Sequence, residues 1–566
     1  MKDMVVNHDV RVDISDEKAL MADIFLPSGK GKYQALLSIG PYNKTFRDSN
    51  PEEWSYMVNN FPETMESTSG DYLVFGCPDP EIWVKFGYAV VRVNSQSTGS
   101  STGLVCQISA SDVLDAYRCI EWIARQKWSN GKVGMAGMLC YAMIQWPTAA
   151  LEPPHLMAIC PWDGAADPYR DIIYHGGIPS LSFGNLSYSG TAGNYNSGRG
   201  SIADEGHAVK APKKRETGNG QITGEPEMRN DDTPDFSKIK VPLLSCGNWG
   251  STGFHLRGNT EGFFLSSARE KWLEIHGGPQ WVTFYASYGR KLMKMFFDHY
   301  LKGGNNGWER MPRALLWLRR IDGNYELICG SKWPLESTSW HKLYLCSNMV
   351  LSTDAHSKSE YVNYESDSDG ITFLTGPLAE EINIIGPAVA ELYVSSSYVD
   401  ADLHIVLRVF KSDMNEAVFY DFLDPHTPAG VGWLRLSYMG EDQRKTLAWR
   451  PYHNHRHRNI LPGRIYRVRV EILPTGLSIP ANCRLGVSIR SNDYRYGKGE
   501  VKLGHFMMRG SGPLQHNSLD KNYSVRIYYG SRWPSSITLP FIQDVHGMAS
   551  KGLGGMVSAF RFPKPF

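Results

Sequence analysis

The 566-residue sequence lacks an excess of charge of either sign, because 59 lysines and arginines nearly balance 58 aspartates and glutamates. It also lacks a basic tract with interleaved aromatic residues, so nothing favours a nucleic acid or an anionic membrane as a partner. No stretch approaches the ~18 consecutive apolar residues of a membrane span. Residues 1–9 contain no apolar run typical of a secretory signal. We therefore expect a cytoplasmic protein.

Cysteine is scarce, and its nine residues are odd in number and scattered along the chain. Most of them lie in apolar runs such as Ala158-Ile159-Cys160-Pro161. This pattern favours buried, reduced thiols over a disulfide framework.

Motifs that hold a cofactor are missing as well. Gly99 and Gly103 are not part of a strand–Gly-x-Gly-x-x-Gly–helix arrangement, and no Walker lysine accompanies them. His453, His455 and His457 alternate as zinc ligands on one strand face would. Their stretch is basic and polar like a surface loop, with no nearby cysteine or acid to complete a ligand set. We expect neither a nucleotide cofactor nor a bound metal.

Strand and helix patterns alternate over roughly the first 160 residues. Residues 5–30 alternate apolar and polar as a half-buried strand pair would. Ser111 is a candidate N-cap for a helix from about Asp112 to Arg125, and a further helix is expected through Trp146. The apolar runs that predict buried strands are Ala35 to Pro41, Tyr88 to Val93 and Lys132 to Ala136. This alternation is typical of a doubly wound α/β sheet.

Residue composition and the pattern of apolar residues change three times along the sequence, which predicts four segments. They are the first part of an α/β core over 1–164, a helical cap insertion over 165–238, the second part of the core over 239–335, and a β-sandwich or jelly roll over 340–566. A helix from Phe284 to Leu301 is expected to close the core, with Gly303-Gly304 as its stop. Ala388 to Val394 and Ile465 to Val470 are typical strands of the last segment.

A set of short motifs extends over nearly the whole chain. They are Ile120-Glu121-Trp122, Trp128 to Met135, Lys302 to Trp308, Leu345, Ser395 to Ser397, Asp400 to Leu403 and Gly432 to Arg435. Together they resemble the family of cocaine esterase, related antibiotic-pathway esterases and Xaa-Pro dipeptidyl peptidases. The resemblance implies an α/β-hydrolase core, a helical cap and a C-terminal jelly roll. It also allows a homodimer through the sandwich surface.

The catalytic triad of that family is not retained. Its Gly-x-Ser-Tyr nucleophile motif aligns with Gly137-Met138-Leu139-Cys140, so Leu139 replaces the serine. The aspartate of its acid loop falls near Gly250 and Ser251, and its base histidine falls on Gln280. Serine hydrolysis needs a nucleophile, a base and a group that orients the base. Leucine and glutamine supply neither of the first two, so hydrolysis is not expected.

Parts suited to another reaction remain. Tyr42 matches the family tyrosine whose hydroxyl helps to form the oxyanion hole, and the Cys140 backbone N–H opens the following helix. Gln280 can add a directed hydrogen bond, so the predicted catalytic residues are Tyr42, Cys140 and Gln280. The predicted substrate-binding residues are Met138, Leu139, Tyr141, Trp146, Trp162, Trp249, Ser251, His255 and Trp281. The tryptophans can equally be core residues, whereas the positions of His255 and His276 favour packed anchors over a role in the site.

Such an apolar enclosure around one polarised carbonyl predicts an enzyme that cyclises or isomerises an apolar carbonyl compound without hydrolysis. Orientation alone can lower such a barrier by about 7–11 kcal/mol in well-aligned cases. The resemblance implies a setting in natural-product biosynthesis.

Two alternatives stay open. Cys140 follows the lost serine at a helix N-terminus, which favours a thiolate, so it can act as the nucleophile of an ester or amide hydrolase or acyltransferase. The chain can also be a non-catalytic binding or scaffold protein that keeps only the fold.

Overall fold

A computed structural model describes most of the chain. The described residues are 4–16, 18–41, 45–49, 51–95, 108–180, 233–422, 424–497, 501–503, 506–508, 516–519 and 522–543. Tyr42 and residues 181–232 of the predicted cap lie outside them. Within the described chain no helix combines the length and hydrophobicity that a membrane crossing requires.

The α/β core is a mostly parallel sheet. In chain order its strands and the short strands between them are β1 (Met4–Asp13), β2 (Ala19–Pro27), β3 (Tyr33–Gly40), β4 (Ala89–Asn94), β5 (Ser129–Met138), β6 (Leu156–Trp162), β7 (Tyr174–His175), β8 (Ile178–Pro179), β9 (Leu243–Asn248), β10 (Lys271–His276), β11 (Gly278–Pro279), β12 (Ala314–Arg320) and β13 (Tyr325–Gly330). Pairing gives the order β1-β2-β4-β3-β5-β6-β9-β10-β12-β13, parallel from β4 to β12. The strands β7 and β8 form a separate hairpin.

Helices cover both faces of this sheet. They are α1 (Phe46–Ser49), α2 (Pro51–Asn60), α3 (Pro80–Trp83), α4 (Ala110–Ala124), α5 (Cys140–Met143), α6 (Gln145–Ala150), α7 (Leu256–Leu265), α8 (Gln280–Tyr285) and α9 (Ser287–Lys302). In β3, Leu36 packs in a cluster with residues of α9, whereas Leu37 packs in another cluster with residues of α4. Because successive strand residues face opposite sides, this division confirms the doubly wound α/β sheet.

Two helix boundaries differ from the sequence-based expectation. Ser109, not Ser111, caps α4, because Ser109 and Asp112 exchange side-chain-to-backbone hydrogen bonds at the three-residue spacing of a capping box. The helix expected from Phe284 to Leu301 is two helices, since Ala286 adopts an extended conformation between α8 and α9. Gly303, with φ 70°, ends α9 as predicted.

The described part of the predicted cap contains no long helix. It consists of a single π-helical turn (Tyr169–Ile173), the β7–β8 hairpin and a 3-10 turn (Phe236–Lys238). The rest of the segment lies outside the described residues.

The C-terminal segment is built of strands, most of which form a two-sheet sandwich. They are β14 (Thr338–Cys346), β15 (Val350–Ser352), β16 (Glu360–Glu365), β17 (Ile371–Leu374), β18 (Ile382–Ser396), β19 (Asp402–Phe410), β20 (Glu416–Ala417), β21 (Phe419–Phe422), β22 (Asp424–Thr427), β23 (Gly430–Arg435), β24 (Tyr466–Ile479), β25 (Arg484–Arg490), β26 (Val501–Leu503), β27 (Phe506–Met508), β28 (Ser524–Tyr529) and β29 (Ser536–Ile542). One sheet centres on β18, which pairs with β24, β28 and β29, and the other runs β15-β17-β25-β19-β23. A shared apolar cluster joins them. β21 and β22 instead form a small sheet with β11, and β26 and β27 form a separate hairpin. β18 contains the predicted run from Ala388 to Val394, and β24 begins one residue into the predicted run from Ile465 to Val470.

His453, His455 and His457 do not lie on a strand, contrary to the spacing argument. His453 makes one isolated bridge with Glu441, and the other two follow in irregular structure.

A buried arginine ties the sandwich to the α/β core. Arg319 on β12 is ion-paired with Asp421 on β21, and both are at most 1% exposed. Its Nη2 donates to the Ala429 carbonyl at 3.1 Å and to the Thr475 hydroxyl at 2.6 Å, and Nε donates to the Gly476 carbonyl at 3.2 Å. The guanidinium therefore satisfies a buried carboxylate and three further acceptors across the boundary.

Replacing Arg319 with methionine leaves Asp421 buried without its cation, so we expect the free energy of unfolding to fall by about 3–5 kcal/mol. Arg467→Met is the matched control, because Arg467 pairs with Glu391 at the surface, where a pair contributes roughly 0–1 kcal/mol. Urea titrations followed by circular dichroism measure both. Equal losses in the two variants would contradict the assigned role.

Candidate functional site

The turn between β5 and α5 keeps a strained backbone at a leucine. Leu139 has φ 56° and ψ −123°, a region that costs a non-glycine residue of order 1–3 kcal/mol. Its N–H donates to the Asp163 carbonyl at 3.0 Å, which ties the turn to the end of β6. A Cβ on Gly164 would lie 2.5 Å from the Ala142 Cβ, so only glycine fits beside the turn. The sharp strand-to-helix elbow is thus present without a nucleophile.

The position expected for the acid is occupied by the other domain. A Cβ on Gly250, in the loop after β9, would lie 2.2 Å from the Cβ of Asp421. No side chain, and hence no aspartate, fits at Gly250 while Asp421 holds this place. Ser251 is fully buried, and its hydroxyl has no hydrogen-bond partner among the described residues.

Gln280, at the position expected for the base, is the first residue of helix α8. Gln280 is 3% exposed, and its Oε1 has no hydrogen-bond partner within the described chain. The indole N–H of Trp281 lacks a partner there too. The Gly278 N–H preceding them donates to the Asp421 carboxylate at 3.1 Å. Asp421 therefore contacts both the acid loop and the base loop.

Next to the elbow lies a buried polar array that sequence reasoning missed in part. His276 Nδ1 is 2.9 Å from Glu274 Oε2, and His276 Nε2 is 4.0 Å from Asp163 Oδ2. The Tyr288 hydroxyl donates to Glu274 Oε1 at 3.4 Å. Asp163, Glu274 and His276 are each 0% exposed. Neither Asp163 oxygen nor His276 Nε2 has a side-chain hydrogen-bond partner among the described residues, and the Asn248 backbone is the group that favours the charged form of Asp163 besides His276. Buried polar atoms without partners are rare in proteins and point to an unseen water, ligand or catalytic role.

Burial sets the proton affinities of this array. It raises the pKa of Asp163 to about 7, because the charge of His276 only partly offsets desolvation and Glu274 adds to it. Burial also raises the pKa of Glu274. For His276 burial alone would lower the pKa, but the charges of Glu274 and Asp163 outweigh it and raise the pKa. Asp163 therefore keeps its proton to a higher pH than an ordinary aspartate does.

A sequence signal for this array exists. Glu274 and His276 alternate in an otherwise apolar strand, so both side chains lie on one face of β10. Asp163 follows the apolar run of β6 directly, at the carboxyl edge of the sheet where ligands of open α/β sheets bind. Their mutual approach depends on strand order, which residue spacing alone does not give.

Four of the predicted wall residues share one buried cluster. They are Met138, Trp162, Trp281 and the partly buried Leu139. The Trp162 ring lies 5.5 Å from the His276 ring, and its indole N–H has no partner among the described residues.

Three other predicted wall residues belong to separate core clusters. The Trp146 indole donates to the Gly164 carbonyl at 3.2 Å, and the Trp249 indole donates to the Trp317 carbonyl at 2.7 Å. Tyr141 packs against Gly40, where a Cβ would come within 2.6 Å of its ring. Partnered indoles and a tightly packed ring are typical of core residues, so the structure favours the core interpretation for these three.

His255 is a packed anchor. Its Nδ1 accepts a hydrogen bond from the Ala165 N–H at 3.1 Å, at the start of helix α7. Burial lowers the pKa of His255 to about 3, so the ring is neutral. Of the two interpretations left open by the sequence, the anchor fits this contact.

Cys140 forms a disulfide bond, and none of the other described cysteines is its partner. Seven described cysteines are free, so the expectation of reduced thiols fits them but not Cys140. A sulfur in a disulfide has no thiolate to attack a carbonyl. The thiol-hydrolase alternative therefore requires this bond to be reduced first.

Comparison with known proteins agrees with the architecture. The profile of X-Pro dipeptidyl-peptidase (S15 family) matches residues 16–279, and that of the X-Pro dipeptidyl-peptidase C-terminal non-catalytic domain matches residues 306–500. Cocaine esterase of Rhodococcus sp. (strain MB1 Bresler) is 22% identical, over 95% of this chain and 99% of its own.

Two solved structures share the fold over nearly the whole length. A CocE/NonD family hydrolase from Staphylococcus aureus superposes with a TM-score of 0.81 at 27% identity, covering 95% of this chain and 94% of its own. An alpha-amino acid ester hydrolase superposes with a TM-score of 0.66 at 17% identity, covering 95% and 97%. Both profiles match in order, so the chain carries the X-Pro dipeptidyl-peptidase (S15) domain over residues 16–279 and the C-terminal domain of that family over residues 306–500, and over nearly its whole length it is similar to a CocE/NonD family hydrolase.

Proposed function

We propose that this chain isomerises or cyclises a largely apolar, carbonyl-containing small molecule without hydrolysing it, and that Asp163 moves the proton. The observation that carries the proposal is the Asp163 carboxyl beside the Leu139 elbow. It is fully buried, neither oxygen has a side-chain hydrogen-bond partner among the described residues, and burial raises its pKa to about 7 although His276 and the Asn248 backbone favour the charged form.

The elbow supports binding of a carbonyl compound but not hydrolysis. The strained turn is kept although Leu139 cannot form an acyl-enzyme, which is expected if the site still uses the shape of the turn. Gln280 stands at the base position and Asp421 fills the space of the acid at Gly250. Leu139, Gly250 and Gln280 carry none of the side chains of a hydrolytic triad, which supports a reaction other than hydrolysis.

Asp163 supplies what an isomerase or cyclase needs. A general acid or base works best when its pKa is near the working pH, and proton transfer by such a group contributes about 10²- to 10⁴-fold. In its protonated form Asp163 can donate to a substrate carbonyl oxygen, and in its ionised form it can remove a proton from the adjacent carbon. A substrate proton taken up by the ionised form leaves Asp163 protonated, ready to return the proton at another position. His276, held by Glu274 at 2.9 Å, lies 4.0 Å from Asp163 and in its charged form stabilises the carboxylate that remains after Asp163 donates its proton.

The apolar surroundings support a largely apolar substrate. Met138, Leu139, Trp162 and Trp281 belong to one buried apolar cluster, and the Trp162 ring lies 5.5 Å from the His276 ring of the polar array. The Gln280 amide oxygen has no hydrogen-bond partner among the described residues. Tyr42, outside the described residues, stays the proposed carbonyl donor. The natural-product setting and a homodimer likewise stay proposals.

Esterase or peptidase activity is the second candidate, and the names of the relatives favour it. It would need a nucleophile other than Leu139, and Cys140 can serve only after its disulfide is reduced. A scaffold role is the third.

Exchange of carbonyl-adjacent protons for solvent deuterium tests the proposal without knowledge of the natural substrate. A panel of cyclic ketones and enones is incubated with the full chain in D₂O and followed by NMR. We expect exchange that falls about 10²- to 10⁴-fold in Asp163→Asn and is unchanged in Asp235→Asn, the same change at an exposed carboxylate.

Aryl-ester and amide turnover is measured beside it, in wild type and Cys140→Ala, with and without reductant. Turnover with an acyl burst that disappears in Cys140→Ala would establish the thiol hydrolase and contradict the proposal. The absence of both proton exchange and ester or amide turnover would favour the scaffold role.

Burial of Asp163 also predicts how stability depends on pH. The folded pKa of about 7 lies above the unfolded value of 3.8, so between these values the folded state holds a proton that the unfolded state releases. Stability due to this group is therefore greatest below pH 4 and is lost as pH rises toward 7. A rise of this size corresponds to ~4 kcal/mol.

We expect the free energy of unfolding of Asp163→Asn minus that of wild type to increase by up to ~4 kcal/mol between pH 4 and pH 7. Asp16→Asn, the same change at another exposed carboxylate, should give a constant difference. Urea unfolding at several pH values provides the measurement, and parallel curves for Asp163→Asn and wild type would refute the buried-acid assignment.

A further inference from the structure

Three potential metal ligands meet away from the elbow, where the sandwich contacts the cap hairpin. His404 lies on β19, Asp493 follows β25, and His516 forms a β-bridge with Ser180, directly after β8. One ligand atom of each residue lies within 4.8 Å of the other two. We call these three residues the His–Asp–His cluster.

Both rings direct Nδ1 toward one carboxylate oxygen. Asp493 Oδ1 is 2.6 Å from His516 Nδ1 and 3.6 Å from His404 Nδ1. Ligand atoms on a tetrahedral zinc ion, with bonds of about 2.0–2.1 Å, lie roughly 3.3 Å apart, between these two distances. Asp493 Oδ2 is held separately, because it accepts the His516 backbone N–H at 2.7 Å. The carboxylate is thus oriented with Oδ1 toward both rings.

Hydrogen bonds behind His516 orient its ring. His516 Nε2 lies 2.7 Å from His175 Nδ1, and His175 Nε2 lies 3.0 Å from the Asp171 carbonyl oxygen. A carbonyl only accepts, so His175 carries its hydrogen on Nε2, and in the neutral form its Nδ1 accepts from His516 Nε2. Neutral His516 then carries its hydrogen on Nε2 and has a lone pair on Nδ1, which faces Asp493 Oδ1. Two lone pairs repel each other at this distance, so a second proton or a cation is needed between the two atoms. Metal-bound histidines are typically held in this way through the other ring nitrogen.

The surroundings of His404 favour a cation over a proton in the space between the three side chains. His404 is 1% exposed, and its Nδ1 makes no hydrogen bond with a described residue. A proton between His516 and Asp493 would leave this nitrogen buried and unsatisfied, which costs roughly 1–3 kcal/mol. A cation between the three side chains would satisfy all of them.

We propose that His404, Asp493 and His516 bind one divalent transition-metal ion, with zinc as the best fit to two imidazoles and one carboxylate. His175 is a positioning residue for His516. The ion would join the sandwich to the β7–β8 hairpin, because His516 bridges to Ser180 and contacts His175. The backbone N–H of Arg435 on β23 donates to the Gly176 carbonyl at 2.8 Å and links the same two parts. The role of the ion is therefore structural, at the boundary between cap and sandwich.

The test uses the full chain, stripped with a chelator and titrated with Zn²⁺ and with Co²⁺ as a spectroscopic probe. We expect one ion per chain, a Co²⁺ absorption band of a low-symmetry site, and release of protons on binding. His404→Ala and Asp493→Asn should lose the site, and His175→Ala should weaken binding by about 10- to 100-fold. His457→Ala, an exposed histidine, is the matched control.

If His404→Ala does not fold, His404→Gln removes the imidazole with less loss of volume and is measured in its place. Retention of stoichiometric Zn²⁺ in Asp493→Asn would overturn the proposal. So would equal Zn²⁺ uptake by wild type and the His404 variant, or loss of uptake in His457→Ala, which would place the ion in the loop of His453 to His457.

Discussion

The hydrogen bond from the Leu139 N–H to the Asp163 carbonyl joins the ends of two neighbouring strands, and much of the site depends on it. Both residues have positive φ values, 56° and 46°, which non-glycine residues rarely adopt. Close packing at Gly137 and Gly164 stabilises this turn, and an added Cβ at either glycine would clash with the neighbouring helix. Because this backbone places the Asp163 side chain toward His276, the strain of the elbow and the buried acid belong to one arrangement.

The second constraint is that the site is not built by the α/β core alone. Asp421 of the sandwich contacts the acid loop at Gly250 and the base loop at Gly278, and Arg319 neutralises it. A catalytic aspartate at Gly250 and the present position of Asp421 exclude each other sterically. The side chains that can stand at Gly250 therefore depend on how the two domains dock.

Much of the fold follows from sequence pattern. Alternation of apolar runs predicted the doubly wound sheet, and strand-rich texture after residue 340 predicted the sandwich. Exact caps did not follow, since Ser109 and Ser111 are both acceptable N-caps until the reciprocal bond with Asp112 is seen. Motif alignment predicted Leu139, Gly250 and Gln280 as the positions of the family's nucleophile, acid and base. It did not find Asp163, because a carboxyl becomes an acid–base candidate only through burial and through His276, which comes from a strand more than 100 residues later.

The most direct test of this account is the proton affinity of Asp163 itself. Difference infrared spectroscopy of wild type minus Asp163→Asn isolates the C=O band of this one protonated carboxyl and follows it with pH. The account predicts a band that persists at neutral pH and titrates with a pKa of about 7. A carboxyl that is fully ionised by pH 5 would contradict the account, because Asp163 would then have no proton to transfer at neutral pH.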